Sequence, residues 1–132
     1  VARVAALWQA AGARTCRMEP DKHDRLLART SHLPHVAAAA LAKAIGRDCA
    51  EQVGAFCGTG FYDSTRVASG SIDMWHDILL TNAAAVAEEL RAFKIEVEQV
   101  YDDLQAGRFG DVAAFLERAR VARAELLKGR GR

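Results

Sequence analysis

The stretch Ser31-His32-Leu33-Pro34-His35 is the densest concentration of reactive side chains in the sequence. Two imidazoles three residues apart on a helix project to neighbouring parts of one face, so they can address one ligand together. Imidazole also ligates metals, and His23-Asp24 lies a few turns earlier. The plain structural alternatives are a first-turn acid beside its neighbour for His23-Asp24, and core histidines bonded to carbonyls that Pro34 leaves free for His32 and His35.

A second feature runs from Gly58 to Arg66 as Gly-Thr-Gly-Phe-Tyr-Asp-Ser-Thr-Arg. Glycines let backbone approach a ligand closely, and arginine offers a planar fork for a carboxylate or phosphate. No Lys-Ser or Lys-Thr follows the last glycine, so this is not a P-loop. Asp63 stands three residues before Arg66: it either forms an ordinary surface ion pair or holds the guanidinium in one rotamer, aimed at an anion. The third feature, Ser71-Ile72-Asp73-Met74-Trp75-His76-Asp77, brings Met74 and Trp75 together near the start of a helix. Such side chains ordinarily belong to a core. A metal-dependent hydrolase would need further ligands at separated places, and only His76 with Asp63 or Asp77 remains, in no recognisable spacing.

Helices must position all three features. Val1, Val4, Leu7 and Trp8 recur at helical spacing up to Gly12, which predicts a helix over 2–11. Pro20, with Asp21 and Asp24 beside it, marks the start of a second helix. This one is expected to be disturbed near Leu33 and Pro34, then to continue to Gly46. A short helix over 48–56, a glycine loop at 58–60 and a short helix over 61–68 follow. Ser71 then caps a long helix whose stripe, Trp75, Leu79, Asn82, Val86, Leu90, Phe93, Val97, Val100 and Leu104, runs close to a 3.5-residue repeat up to Gly107. Val112, Phe115, Leu116, Ala119, Ala122, Leu126 and Leu127 make a final amphipathic helix before a basic tail, Lys128 to Arg132, that is expected to fray.

No alternating strand pattern competes, so the class is all-α, a single helical domain over 1–132. Its long apolar stripe calls for a second copy in an intertwined homodimer, unless the last helix folds back and covers it alone.

At 132 residues, 51% hydrophobic and 27% charged, the chain has the composition of a globular domain with a core. A net charge of +1 provides no global field for nucleic acid or an anionic membrane. Three cysteines, Cys16, Cys49 and Cys57, without CxxC spacing, suit a reducing cytoplasm better than a disulfide framework. No apolar run approaches the ~20 residues of a membrane span, and no signal peptide is evident. The opening at Val1, already inside a helical pattern, suggests a piece of a longer protein.

Pro20-x-x-His23-Asp24, Ser31-His32-Leu33-Pro34-His35, Gly58-x-Gly60-Phe61, Asp63-x-Thr65-Arg66-x-Ala68-Ser69-Gly70 and Met74-Trp75-x-Asp77-Ile78, in this order, resemble the C-terminal domain of the prephenate dehydrogenase family over nearly the whole chain. The family pattern commonly has an acid and a proline where Ser71 and Ile72 stand, which still leaves Ser71 able to cap. The resemblance implies oxidative decarboxylation of prephenate to 4-hydroxyphenylpyruvate, or of arogenate to tyrosine, with hydride passing to NAD or NADP in tyrosine biosynthesis. It places the cofactor turn and the catalytic histidine in an N-terminal Rossmann domain, so no catalytic, cofactor-binding or metal residue is assigned here.

By the same resemblance this domain supplies a homodimer core and one wall of the substrate site. Arg66 grips a carboxylate, Asp63 orients it, His35 and then His32 donate hydrogen bonds, and Gly60 lets backbone close over the substrate. Met74 and Trp75 reach across from the partner subunit. Readings of another class are an all-helical metal-dependent hydrolase and a helical interaction module.

Overall fold

The computed structural model describes residues 1–48 and 50–129. The thiol at Cys49 and the fraying expected through Arg132 lie outside the described residues. The described residues contain no strand, as the all-α expectation requires. In chain order the helices are α1 (Ala2–Ala10), α2 (Pro20–Leu27), α3 (Leu33–Ile45), α4 (Ala50–Gly54), α5 (Thr59–Thr65), α6 (Ile72–Thr81), α7 (Ala83–Gln105) and α8 (Phe109–Lys128). A π turn, Ala28–His32, joins α2 to α3, and a 3-10 turn, Arg66–Ser69, follows α5. The chain divides into two compact units, Val1–Ala87 and Glu88 onward, with the boundary inside α7.

In the first unit the disturbance expected at Leu33-Pro34 appears one turn earlier, as a widened turn. Pro34 has no N–H to donate and its ring crowds the carbonyl four residues back. The preceding turn opens instead, and the Leu33 N–H donates to the Ala28 carbonyl five residues behind it. Thr30 Oγ1 donates to the Leu26 carbonyl at 2.7 Å, meeting another main-chain acceptor of the same stretch. His32 closes the turn and His35 sits in the first turn of α3, both buried. Around them the buried residues are Ala28, Ala38, Thr65 and Val86. This core is built of small and polar groups, with no large side chain wholly enclosed.

Two expected features take a different form. The glycine loop before Phe61 is no loop: Gly58 is the N-cap of α5, and Thr59 and Gly60 are already helical. Nothing forces an opening there, because Gly58 has an extended backbone that any residue adopts. The long helix begins where Ser71 caps it, with the Met74 N–H donating to Ser71 Oγ, but it is broken at Asn82. Thr81 Oγ1 bonds back to the Asp77 and Ile78 carbonyls, and Asn82 leaves the helical region at φ −121° and ψ 27°. Short polar side chains compete with the helical ladder in this way.

In the second unit Gly107 takes φ +67°, the left-handed conformation that ends α7. The turn is fastened by Asp103, which is buried and accepts from Gln99 Nε2 at 3.1 Å, from Arg108 Nε at 2.9 Å and from Arg108 Nη2 at 2.8 Å. α8 does not cover the apolar stripe of α7. Val97 and Tyr101 remain 52% and 60% exposed, and with Phe93, Val100, Leu104 and Phe115 they line an open apolar groove.

The Gln99 amide, ahead of the Arg108 guanidinium, holds the Asp103 carboxyl below its ordinary value of 3.8 against the opposing effect of burial. Below 3.8 the unfolded chain therefore binds the proton more readily. The stabilisation from this carboxylate is complete above that value and is lost as the pH falls through the lower native value. Asp103→Asn is expected to lower the melting temperature at neutral pH and to shrink the acid-induced loss below pH 3.8. Thermal melts of both proteins across that range check this, and an unchanged melting temperature at neutral pH contradicts it.

Candidate functional site

The site of the first unit is organised by one stack. The His35 imidazole lies flat on the Trp75 indole, with ring centroids 3.5 Å apart and an interplanar angle of 11°. His32 meets the same indole edge-on at 6.0 Å and 87°. The histidines come from the π turn and the start of α3, and the indole comes from the first half of α6. Gly70, two residues before α6, permits the approach: a Cβ there would lie 2.8 Å from Trp75 Nε1, 3.0 Å from Trp75 Cδ1 and 3.3 Å from His35 Cε1. The fit of backbone against indole thus requires glycine on grounds of space.

His35 is 8% exposed, and its Nδ1 is buried with no hydrogen-bond partner. Burial pushes its pKa below the ordinary 6.5, so near neutral pH the ring is uncharged. An uncharged imidazole offers one donor and one acceptor. Leaving either unmet is costly, and an orphaned buried polar atom beside an open groove calls for an incoming partner. The groove is lined by Val36, Ala39, Ala68 and Leu79 as well as by His35, Trp75 and His76, and encloses about 360 Å³. Its walls are mostly apolar, with the two histidines and the Trp75 indole as the polar side chains. His32 differs from His35 in that its Nδ1 has a neighbour, the Asn82 side-chain nitrogen at 3.3 Å.

The remaining residues singled out from the sequence lie elsewhere in the unit. Arg66 begins the 3-10 turn that leads to Ala68 and Gly70, and it is exposed with no ion-pair partner among the described residues. Asp63 is also exposed and does not pair with Arg66. The helix changes pitch between them, at Thr65 with φ −109° and ψ −4°, and the pairing expected from their spacing is not made. Gly60 lies in the first turn of α5, where a Cβ would meet nothing within 4 Å, so none of the described residues demands glycine there. Met74 is 51% exposed. Trp75, the other candidate to reach across to a partner subunit, stacks on His35 of its own chain.

His23 Nδ1 and Asp24 Oδ1 meet only each other, at 3.0 Å on the surface, and no three His, Cys, Asp or Glu side chains gather among the described residues. Sequence reasoning missed two residues. Gly70 sits inside a motif whose other residues carry the chemistry, and Asn82 falls in an apolar stripe from which its polarity sets it apart.

The sequence profile of the family described as "Prephenate dehydrogenase, dimerization domain" matches residues 19–118. Cyclohexadienyl dehydrogenase of Zymomonas mobilis is 33% identical over 103 residues, covering 76% of this chain and 35% of that protein. Prephenate dehydrogenase of Bacillus subtilis is 34% identical over 85 residues, covering 63% and 23%. Among solved structures, prephenate dehydrogenase from A. aeolicus in complex with hydroxyphenyl propionate and NAD+ matches with a TM-score of 0.84 and 28% identity, over 95% of this chain and 44% of that one. Synechocystis arogenate dehydrogenase shares the fold at a TM-score of 0.83 and 21% identity, over 95% and 46%. The chain therefore spans less than half the length of each of these relatives.

Gly70→Ala tests the stack. The added methyl must displace the indole, at a cost of about 1–3 kcal/mol for overpacking. In a Trp8→Phe background, which leaves Trp75 as the sole reporter, the variant is expected to melt lower and to show altered Trp75 fluorescence. Parental melting and emission would contradict the contact.

Proposed function

The chain belongs to the prephenate dehydrogenase dimerization-domain family, and from that membership we propose that it forms the C-terminal helical part of a prephenate or arogenate dehydrogenase acting in tyrosine biosynthesis in the cytoplasm. The reaction is oxidative decarboxylation of a cyclohexadienyl acid, with hydride passing to NAD or NADP. This domain's share is to pair two subunits and to hold the substrate. No helix among the described residues is long and apolar enough to cross a membrane.

The observation that carries this reading is the unpaired His35 Nδ1 beside the groove. Because the ring is uncharged at neutral pH, it serves as a hydrogen-bond partner for a substrate oxygen and not as a counter-ion. The counter-ion for a carboxylate is Arg66, whose guanidinium pairs with no carboxylate among the described residues. This divides the labour: a charged fork fixes the anionic end of the substrate, and a flat neutral ring held against Trp75 fixes a polar group without adding charge. Without an ion pair to Arg66, Asp63 acts only once a ligand orders the turn. His32 is a second polar contact, Gly60 leaves room for backbone to approach the ligand, and Met74 is the exposed side chain left to reach a partner subunit's site.

The nicotinamide cofactor does not fit this chain's own residues. A dinucleotide crevice needs a parallel strand leading into a glycine turn and a helix. The described residues supply no strand, and the helix after Gly58 spans seven residues. We therefore assign the cofactor and the hydride step to the family's N-terminal domain. Pairing is supported by apolar surface that neither unit covers: Leu80, Ile72 and Phe56 in the first, and the α7 stripe in the second.

In the full-length enzyme, Arg66→Ala is expected to raise KM for prephenate by roughly 30-fold or more, the equivalent of losing on the order of 2 kcal/mol from a charged contact, with KM for the cofactor unchanged. Steady-state kinetics check this. Equal losses for substrate and cofactor, or none for either, contradict it.

A further inference from the structure

We propose that Asn82 is a positioning residue that decides which ring nitrogen of His32 carries the proton. The consequence for substrate binding rests on the reading of the site above; the tautomer itself does not.

The backbone of Asn82 is already committed. Its N–H donates to the Ile78 carbonyl at 3.2 Å, and its carbonyl accepts from the Val86 N–H at 3.1 Å. Its side-chain nitrogen carries two hydrogens and has two neighbours: the Asp24 main-chain carbonyl at 2.8 Å and His32 Nδ1 at 3.3 Å. A carbonyl can only accept, so the nitrogen of the amide must face Asp24. Turning the amide over would set two acceptors against each other. The same nitrogen faces His32, so Nδ1 must present its lone pair and the proton must sit on Nε2.

A main-chain atom of α2 therefore dictates, through one amide, the hydrogen-bonding sense of a buried ring 8 residues further along the sequence. The ring so fixed stands edge-on to Trp75, and on the reading of the site above the donor it offers to a substrate oxygen is Nε2–H. In the opposite tautomer Nε2 would meet that oxygen with a lone pair. The position cannot be filled by a residue of similar size: leucine has no donors, and aspartate offers only acceptors to both neighbours.

The test is made on the full-length dimeric enzyme carrying ¹⁵N-labelled histidine. In the parent, His32 is expected to show an unprotonated Nδ1 and a protonated Nε2. Asn82→Asp is expected to move the proton to Nδ1 and to raise KM for prephenate roughly tenfold, with a smaller change in kcat. Sedimentation confirms that the variant is folded and dimeric. Protonated Nδ1 in the parent overturns the proposal even if the variant fails to fold, and so does an unchanged tautomer in a folded Asn82→Asp. A moved proton with unchanged KM supports the assignment of Asn82 and counts against His32 as a substrate contact, which keeps the two failures apart.

Discussion

A face-to-face imidazole and indole 3.5 Å apart form only where the backbone delivers both rings from different helices. Three local features do so here. The π turn forced by Pro34 turns His32 and His35 into the interior. The Ser71 cap starts α6 where Trp75 can reach them. Gly70, by lacking a Cβ, lets the connecting segment of backbone lie against the indole edge. The site of the first unit depends on this one contact, because the same burial that makes the stack also removes water from His35 Nδ1 and leaves it without a partner. A hydrogen-bonding group stripped of water and kept uncharged is poised for a ligand that supplies what is missing.

The second unit handles its buried polar group differently. Asp103 is buried like His35, yet its Oδ1 accepts from both Gln99 and Arg108. Its role is to fasten the turn at Gly107. What the second unit leaves unmet is apolar: the open face of Phe93, Val97, Val100 and Tyr101. The unmet polar atom of the first unit and the unmet apolar surface of both units correspond to the two tasks proposed for the domain, binding a polar small molecule and binding another subunit.

Much of this was legible in the sequence. Helix class, the start of α2 at Pro20, the Ser71 cap and the stop at Gly107 follow from residue types whose local preferences are strong. The pair His32 and His35 stood out for the same reason. The π turn was displaced because the proline signal says that the ladder breaks, but not on which side the slack is taken up. The break at Asn82 was missed because its cause is non-local: the residue matches a helical stripe, and its partner carbonyl lies 58 positions away. The ion pair between Asp63 and Arg66 was expected from spacing on a uniform helix, and a change of pitch at Thr65 undid it. Gly70 is necessary only once Trp75 is seen beside it.

The most direct test of the site is a crystal structure of the full-length enzyme with a substrate analogue such as hydroxyphenyl propionate. The account predicts the analogue in the groove beside Trp75, with the His35 ring shifted enough to bring its enclosed Nδ1 within about 3.2 Å of an oxygen of the analogue. An analogue bound elsewhere, with His35 Nδ1 hydrogen-bonded to the protein itself, would contradict it.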